Sequence, residues 1–66
     1  MLIRLNGEDT KCKEGTSLLD ILNEKNINPE TIVAEVDMVI LKPEEFGECE
    51  LKEGSVVEVL RFVGGG

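Results

Sequence analysis

An α+β fold, a mixed sheet of four to five strands packed on one helix, follows from three features of the sequence. Short β-rich runs lie toward both ends, a helix start signal stands at Ser17, and Val56-Val57-Glu58-Val59-Leu60-Arg61-Phe62-Val63 is the most strand-like segment. The chain has 66 residues. Since a domain of about 60 residues buries only about 60% of its unfolded surface, there is room for one core and none for a deep active-site cleft.

Leu2-Ile3-Arg4-Leu5 and Thr10-Lys11-Cys12-Lys13 flank Asn6-Gly7-Glu8-Asp9. Asn-Gly between extended runs predicts a hairpin, because both residues tolerate positive φ. Ser17-Leu18-Leu19-Asp20 resembles a capping box with Asp in place of Glu, so a helix begins there. Leu18, Ile21 and Leu22 form its apolar stripe, and Asn26 with Asn28-Pro29 ends it. Ile32-Val33-Ala34-Glu35-Val36 and Val39-Ile40-Leu41 are the next strands, with Asp37-Met38 as the connection. Lys42-Pro43-Glu44-Glu45 breaks the pattern and predicts a turn or 3₁₀ piece presenting Phe46, followed by Cys49-Glu50-Leu51 as a brief edge segment. Lys52-Glu53-Gly54-Ser55 turns the chain into the last strand. The order β-β-α-β-β-β with a single helix is that of the ubiquitin-like β-grasp, here expected over residues 1–63 with a flexible glycine tail over 64–66.

Composition narrows the function. Hydrophobic residues at 41% and charged residues at 32% describe a folding, soluble chain. There is no His, Trp or Tyr, which removes the usual general base and the commonest transition-metal ligand and argues against independent catalysis. A formal charge of -7 repels phosphate backbones and anionic lipid, so neither nucleic acid nor membrane is expected as a partner. That acidity either maintains solubility or complements a basic partner; charge alone does not choose. Met1-Leu2-Ile3-Arg4-Leu5-Asn6 has no signal-peptide apolar run, which predicts a cytoplasmic protein. Cys12 and Cys49 lack metal or redox spacing and are expected as buried, reduced thiols, with sulfur handling by Cys49 the minor alternative.

The remaining chemistry lies at the chain end. Alternation along the last strand turns Val57 and Val59 to one face and Glu58, Leu60 and Phe62 to the other. With the valines inward, Leu60 and Phe62 are either ordinary exposed residues or a docking patch beside the tail; their position points to the patch. Gly64-Gly65-Gly66 offers a thin chain able to thread a narrow channel and carry a terminal carboxylate into another protein's active site. A carboxylate is a poor electrophile. Adenylation supplies a good leaving group, and a sulfur nucleophile then produces a thiocarboxylate.

The whole chain resembles the ThiS family of sulfur carrier proteins of thiamine biosynthesis. The resemblance lies in the opening strand into Asn6-Gly7-Glu8, the helix from Ser17, the Leu51-Lys52-Glu53-Gly54 turn and above all Val57-Glu58-Val59-Leu60-Arg61-Phe62-Val63-Gly64-Gly65-Gly66. It implies a carrier, not an enzyme. Gly66 would hold the adenylate and then the thiocarboxylate, Gly64 and Gly65 would thread the channel, and Leu60, Arg61, Phe62, Val63 and Phe46 would touch partners. The implied partners are an E1-like adenylyltransferase of ThiF type that uses ATP, a sulfur donor protein and a thiazole synthase of ThiG type. No permanently bound cofactor is implied.

Two other readings stay open. One is a carrier for molybdopterin or another sulfur-containing product; the other is a β-grasp binding module with an inert tail. An iron-sulfur protein needs about four Cys ligands, and this chain has two.

Overall fold

The computed structural model describes residues 1–61. The elements are β1 (Leu2–Leu5), β2 (Glu8–Lys11), α1 (Leu18–Glu24), β3 (Ile32–Val36), β4 (Val39–Leu41) and β5 (Val56–Arg61), with 3₁₀ turns at Pro29–Thr31 and Pro43–Glu45. The sheet order is β2-β1-β5-β3-β4. Two antiparallel hairpins thus flank the last strand, which runs parallel to β1 and antiparallel to β3. One helix on a five-stranded mixed sheet is the predicted β-grasp.

Both hairpins close on two residues in the left-handed region. Asn6 and Gly7 have φ of 49° and 83°, and Asp37 and Met38 have 49° and 74°. Positive φ at both central positions gives the turn whose twist matches the flanking strands. The first turn is tighter than the sequence implied: Leu5 pairs with Glu8, so Glu8 and Asp9 already belong to β2, and Cys12 lies just beyond the strand. The second turn takes the same form without a glycine. An L-residue in the left-handed region costs about 1 kcal/mol or more, a cost that Met38 bears.

The helix is fixed at both ends by local hydrogen bonds. Ser17 Oγ accepts from the Asp20 amide at 3.1 Å, and Asp20 Oδ2 accepts from the Ser17 amide at 3.0 Å, which completes the capping box. At the other end Asn26 has φ 58°, while the Ile27 amide donates to the Leu22 carbonyl at 2.8 Å and the Asn26 amide to the Asn23 carbonyl at 3.1 Å. This is the Schellman closure, with Asn where glycine is commonest. A helix of seven residues is too short to persist alone. Burial of Leu18, Ile21 and Leu22 with Ile3, Ile32 and Val57 in one core supplies its stability.

The segment after β4 departs from the expected edge strand. Only Glu50 forms a bridge, and its partner is Ser17. The Leu18 amide donates to the Cys49 carbonyl and the Leu51 amide to the Thr16 carbonyl, both at 2.9 Å. Residues 49–51 therefore tie down the helix start and close that end of the core instead of widening the sheet. No helix among the described residues is long and apolar enough to cross a membrane.

Met38 is 87% exposed, so replacing it removes backbone strain and little packing. Met38→Gly is expected to raise the thermal midpoint by a few degrees, corresponding to about 0.5–1 kcal/mol in a domain of this size. A lowered midpoint in a thermal melt would show that the Met38 side chain contributes more than its conformation costs.

Candidate functional site: the end of the central strand

The candidate site is where β5 leads toward the glycines. Phe62, Val63, Gly64, Gly65 and Gly66, with the expected domain boundary after residue 63, lie outside the described residues, whereas Leu60 and Arg61 end β5. The central strand is gripped from both sides by the first residue of each hairpin turn. On one flank the Asp37 amide donates to the Val56 carbonyl at 2.8 Å, and Asp37 Oδ1 accepts from the Val56 amide at 2.9 Å. On the other, the Asn6 amide donates to the Val57 carbonyl at 2.8 Å, Asn6 Oδ1 accepts from the Val59 amide at 2.8 Å, and Asn6 Nδ2 donates to the Val59 carbonyl at 3.3 Å. Sequence reasoning identified Asn6 and Asp37 only as turn residues. The available signal was that a short Asx side chain in a turn readily bonds nearby backbone.

The faces of β5 are as expected: Val57 is buried, Val59 is partly buried, and Val56, Glu58 and Leu60 are exposed. Leu60 is 65% exposed and pairs with Val33; on the same outer face Ile40, 67% exposed, pairs with Glu35. Glu35 in turn lies directly opposite Glu58. Like charges at directly opposed positions oppose sheet formation. Where β3 meets β5, the outer face therefore combines exposed apolar side chains with two opposed carboxylates. Arg61 is also exposed, but it pairs with buried Ile32 and lies on the helix side of the sheet. Leu60 and Arg61 do not form one flat patch. A partner meets both only by enclosing the strand end.

Phe46, named as a contact by family resemblance, requires correction. The Pro43–Glu45 turn does present it, but inward: the side chain is 0% exposed and belongs to the core. In a chain with two Phe and no other aromatic residue, the largest apolar side chain contributes most when buried. Phe46→Ala is expected to cost about 3–5 kcal/mol, enough to unfold most of a domain this small. Leu60→Glu is expected to change the urea midpoint little. Comparable losses in the two variants would mean that Leu60 also packs in the core.

The cysteines are free thiols, each partly buried. Burial pushes the Cys49 thiol pKa above its ordinary value, and the negative charges of Asp37 and Glu45 add to the rise. A thiol held in its neutral form is a poor nucleophile, so this environment opposes sulfur handling by Cys49. Among the described residues, no cluster of three or more His, Cys, Asp or Glu is placed to hold a metal ion. At neutral pH, iodoacetamide is expected to label Cys49 more slowly in the folded chain than in urea, with the rate still rising as pH passes above the ordinary thiol range. Fast labelling at neutral pH, read by peptide mass, would indicate an activated thiol.

Known proteins resemble this chain along nearly its whole length. The ThiS family model matches residues 3–66. The sulfur carrier protein ThiS of Bacillus subtilis (strain 168) is 33% identical over 66 residues, spanning 98% of this chain and 100% of that protein. A thiazole synthase of Magnetococcus marinus is 33% identical over 66 residues, covering 100% of this chain but 20% of that longer protein. The crystal structure of the thiamine biosynthesis protein ThiS from Geobacter metallireducens superposes with a TM-score of 0.85 at 28% identity, covering 100% of both chains. With a family match reaching from β1 through the final glycines and a relative matched from end to end, this chain belongs to the ThiS family.

Proposed function

We propose that this chain carries sulfur on the carboxylate of Gly66 for formation of the thiazole ring in thiamine biosynthesis. It is a protein carrier and not an enzyme, as its family membership gives. The observation that carries the finer reading is the family match through residue 66, on a chain whose central strand leads directly toward Gly64-Gly65-Gly66.

An E1-like partner adenylates Gly66: a carboxylate oxygen attacks the α-phosphorus of ATP and pyrophosphate leaves. Hydrosulfide then attacks the carbonyl carbon, and AMP departs with the former carboxylate oxygen, leaving the thiocarboxylate; where a donor protein attacks through a bound persulfide, the acyl disulfide that forms is reduced at its S–S bond by a thiol to release the same product. Both steps need a carbonyl delivered to another protein's active site, and neither needs an acid, base or metal from the carrier. Gly64 and Gly65 provide the narrow segment that threads the channel. Leu60, Arg61, Phe62 and Val63 provide the contact that precedes it. The opposed Glu35 and Glu58 beside Leu60 favour a partner that brings a basic group to the outer face. A thiazole synthase is the acceptor, a reading supported by the relative of that name in which a segment like this whole chain makes up a fifth of the length.

The intact mass after incubation with ATP, sulfide and the E1-like enzyme is the direct test. The expected gain corresponds to exchange of one oxygen for sulfur, localised to Gly66. Amidation of the terminal carboxylate is expected to abolish it, and Leu60→Glu to weaken enzyme binding at least about tenfold. Normal loading of the amidated chain would exclude the mechanism.

A further inference from the structure

We propose that Asn6 is a positioning residue for the carrier reaction, its carboxamide acting as a substitute peptide group that holds the end of β5. The proposal rests on the carrier reading above. Backbone pairing of β1 with β5 covers only Arg4 with Val56 and Leu5 with Val57. The ladder on this flank steps by two residues, from the Arg4 amide on the Ser55 carbonyl to the Asn6 amide on the Val57 carbonyl, both at 2.8 Å. The next step falls at Val59, but the chain has already turned into β2 and brings no backbone there. The Asn6 side chain fills the gap. Its Oδ1 accepts from the Val59 amide at 2.8 Å, and its Nδ2 donates to the Val59 carbonyl at 3.3 Å. A carboxamide has one acceptor and donors in the same plane, so it reproduces both halves of a strand rung.

The opposite flank makes this bond consequential. One residue before Val59, Glu58 faces Glu35 across β3, a rung that like charge weakens. Among the described residues, Asn6 is the last to hold β5 on the β1 side. Gly66 lies seven residues beyond Val59, and glycines impose no direction of their own. β3 pairs with β5 as far as Arg61, so the strand end is held along its β3 edge by backbone and along its β1 edge, at Val59, by the Asn6 side chain; the direction in which β5 leads toward the carboxylate depends on both edges. Releasing the Asn6 contact frees the β1 edge of the strand end, and holding that edge in place during the reaction then costs ordering entropy at each turnover.

Asn6→Gly separates this role from turn formation, because glycine keeps the positive φ of the hairpin and removes only the carboxamide. The Val59 amide is expected to exchange with deuterium about fivefold faster, the size of one net hydrogen bond, while the Leu60 amide on the β3 side changes less. With the E1-like enzyme and ATP, kcat for pyrophosphate release is expected to fall about tenfold while KM for the carrier stays within about twofold, since the docking face is intact. Asn6→Asp keeps the acceptor for the Val59 amide and is expected to fall between the two; it decides the matter if the glycine variant fails to fold. Unchanged Val59 exchange, or faster exchange with unchanged kcat, would overturn the proposal. A wild-type chain that is not adenylated by an active enzyme would instead overturn the carrier reading, and the positioning role with it.

Discussion

The hydrogen bonding of β5 on both flanks is the constraint on which the architecture depends. Each hairpin can pair internally, but nothing joins them until the last strand enters between β1 and β3. A two-stranded hairpin is at best marginal in water, and a seven-residue helix is no better. Insertion of β5 converts these weak pieces into one sheet and brings Val57 into the core with Leu18, Ile21 and Leu22. The pairing of β1 with β5 also links residues about fifty positions apart. Closing that loop costs entropy before any contact is gained, and the segment that closes it is the one that leads toward the terminal glycines.

The two turns solve a common geometrical problem. A hairpin whose edge must also serve a third strand runs out of backbone where it turns. Asn6 and Asp37, both at φ 49°, extend the edge with side-chain atoms, each adding contacts to β5 beyond the last regular rung. Either residue can do this because its polar group sits one carbon from the backbone, near the reach of a peptide group. A longer side chain would overshoot, and glycine would form the turn without the extension. This distinguishes a turn chosen only for its twist from one chosen also for what it offers the neighbouring strand.

The elements most legible in the sequence are those decided by local chemistry. The capping box at Ser17, the apolar stripe of α1, the Asn6-Gly7 turn and the alternation of Val57 and Val59 follow from spacing and residue type. What escaped was decided by distant partners. Residues 49–51 look like an edge strand by composition, yet they pair with the residues before α1. Phe46 follows a proline turn that reads as surface, and its burial depends on a core assembled from β1, α1, β3 and β5, elements distant in sequence. At the candidate site, the exposure of Leu60 was legible from alternation alone. The opposed glutamates and the Asn6 contact required the register of β5, which no local pattern specifies.

The outer face of the sheet carries two opposite charge arrangements. Across β1 and β2 it places opposite charges, with Arg4 Nε 3.7 Å from Asp9 Oδ1; an exposed pair of this kind contributes little but does no harm. Across β3 and β5 it places Glu35 against Glu58, a choice that folding alone does not favour. The unfavourable pair lies beside exposed Leu60 and Ile40 rather than at the distant β2 edge, so the electrostatic cost and the apolar exposure fall on the same part of the sheet. A partner that covers this face with apolar surface and one basic group relieves both at once, adding binding energy that depends on the folded register of β3 and β5. Under the proposed docking on this face, recognition is coupled to the alignment of β3 with β5, because a strand out of register would separate Leu60 from the opposed glutamates.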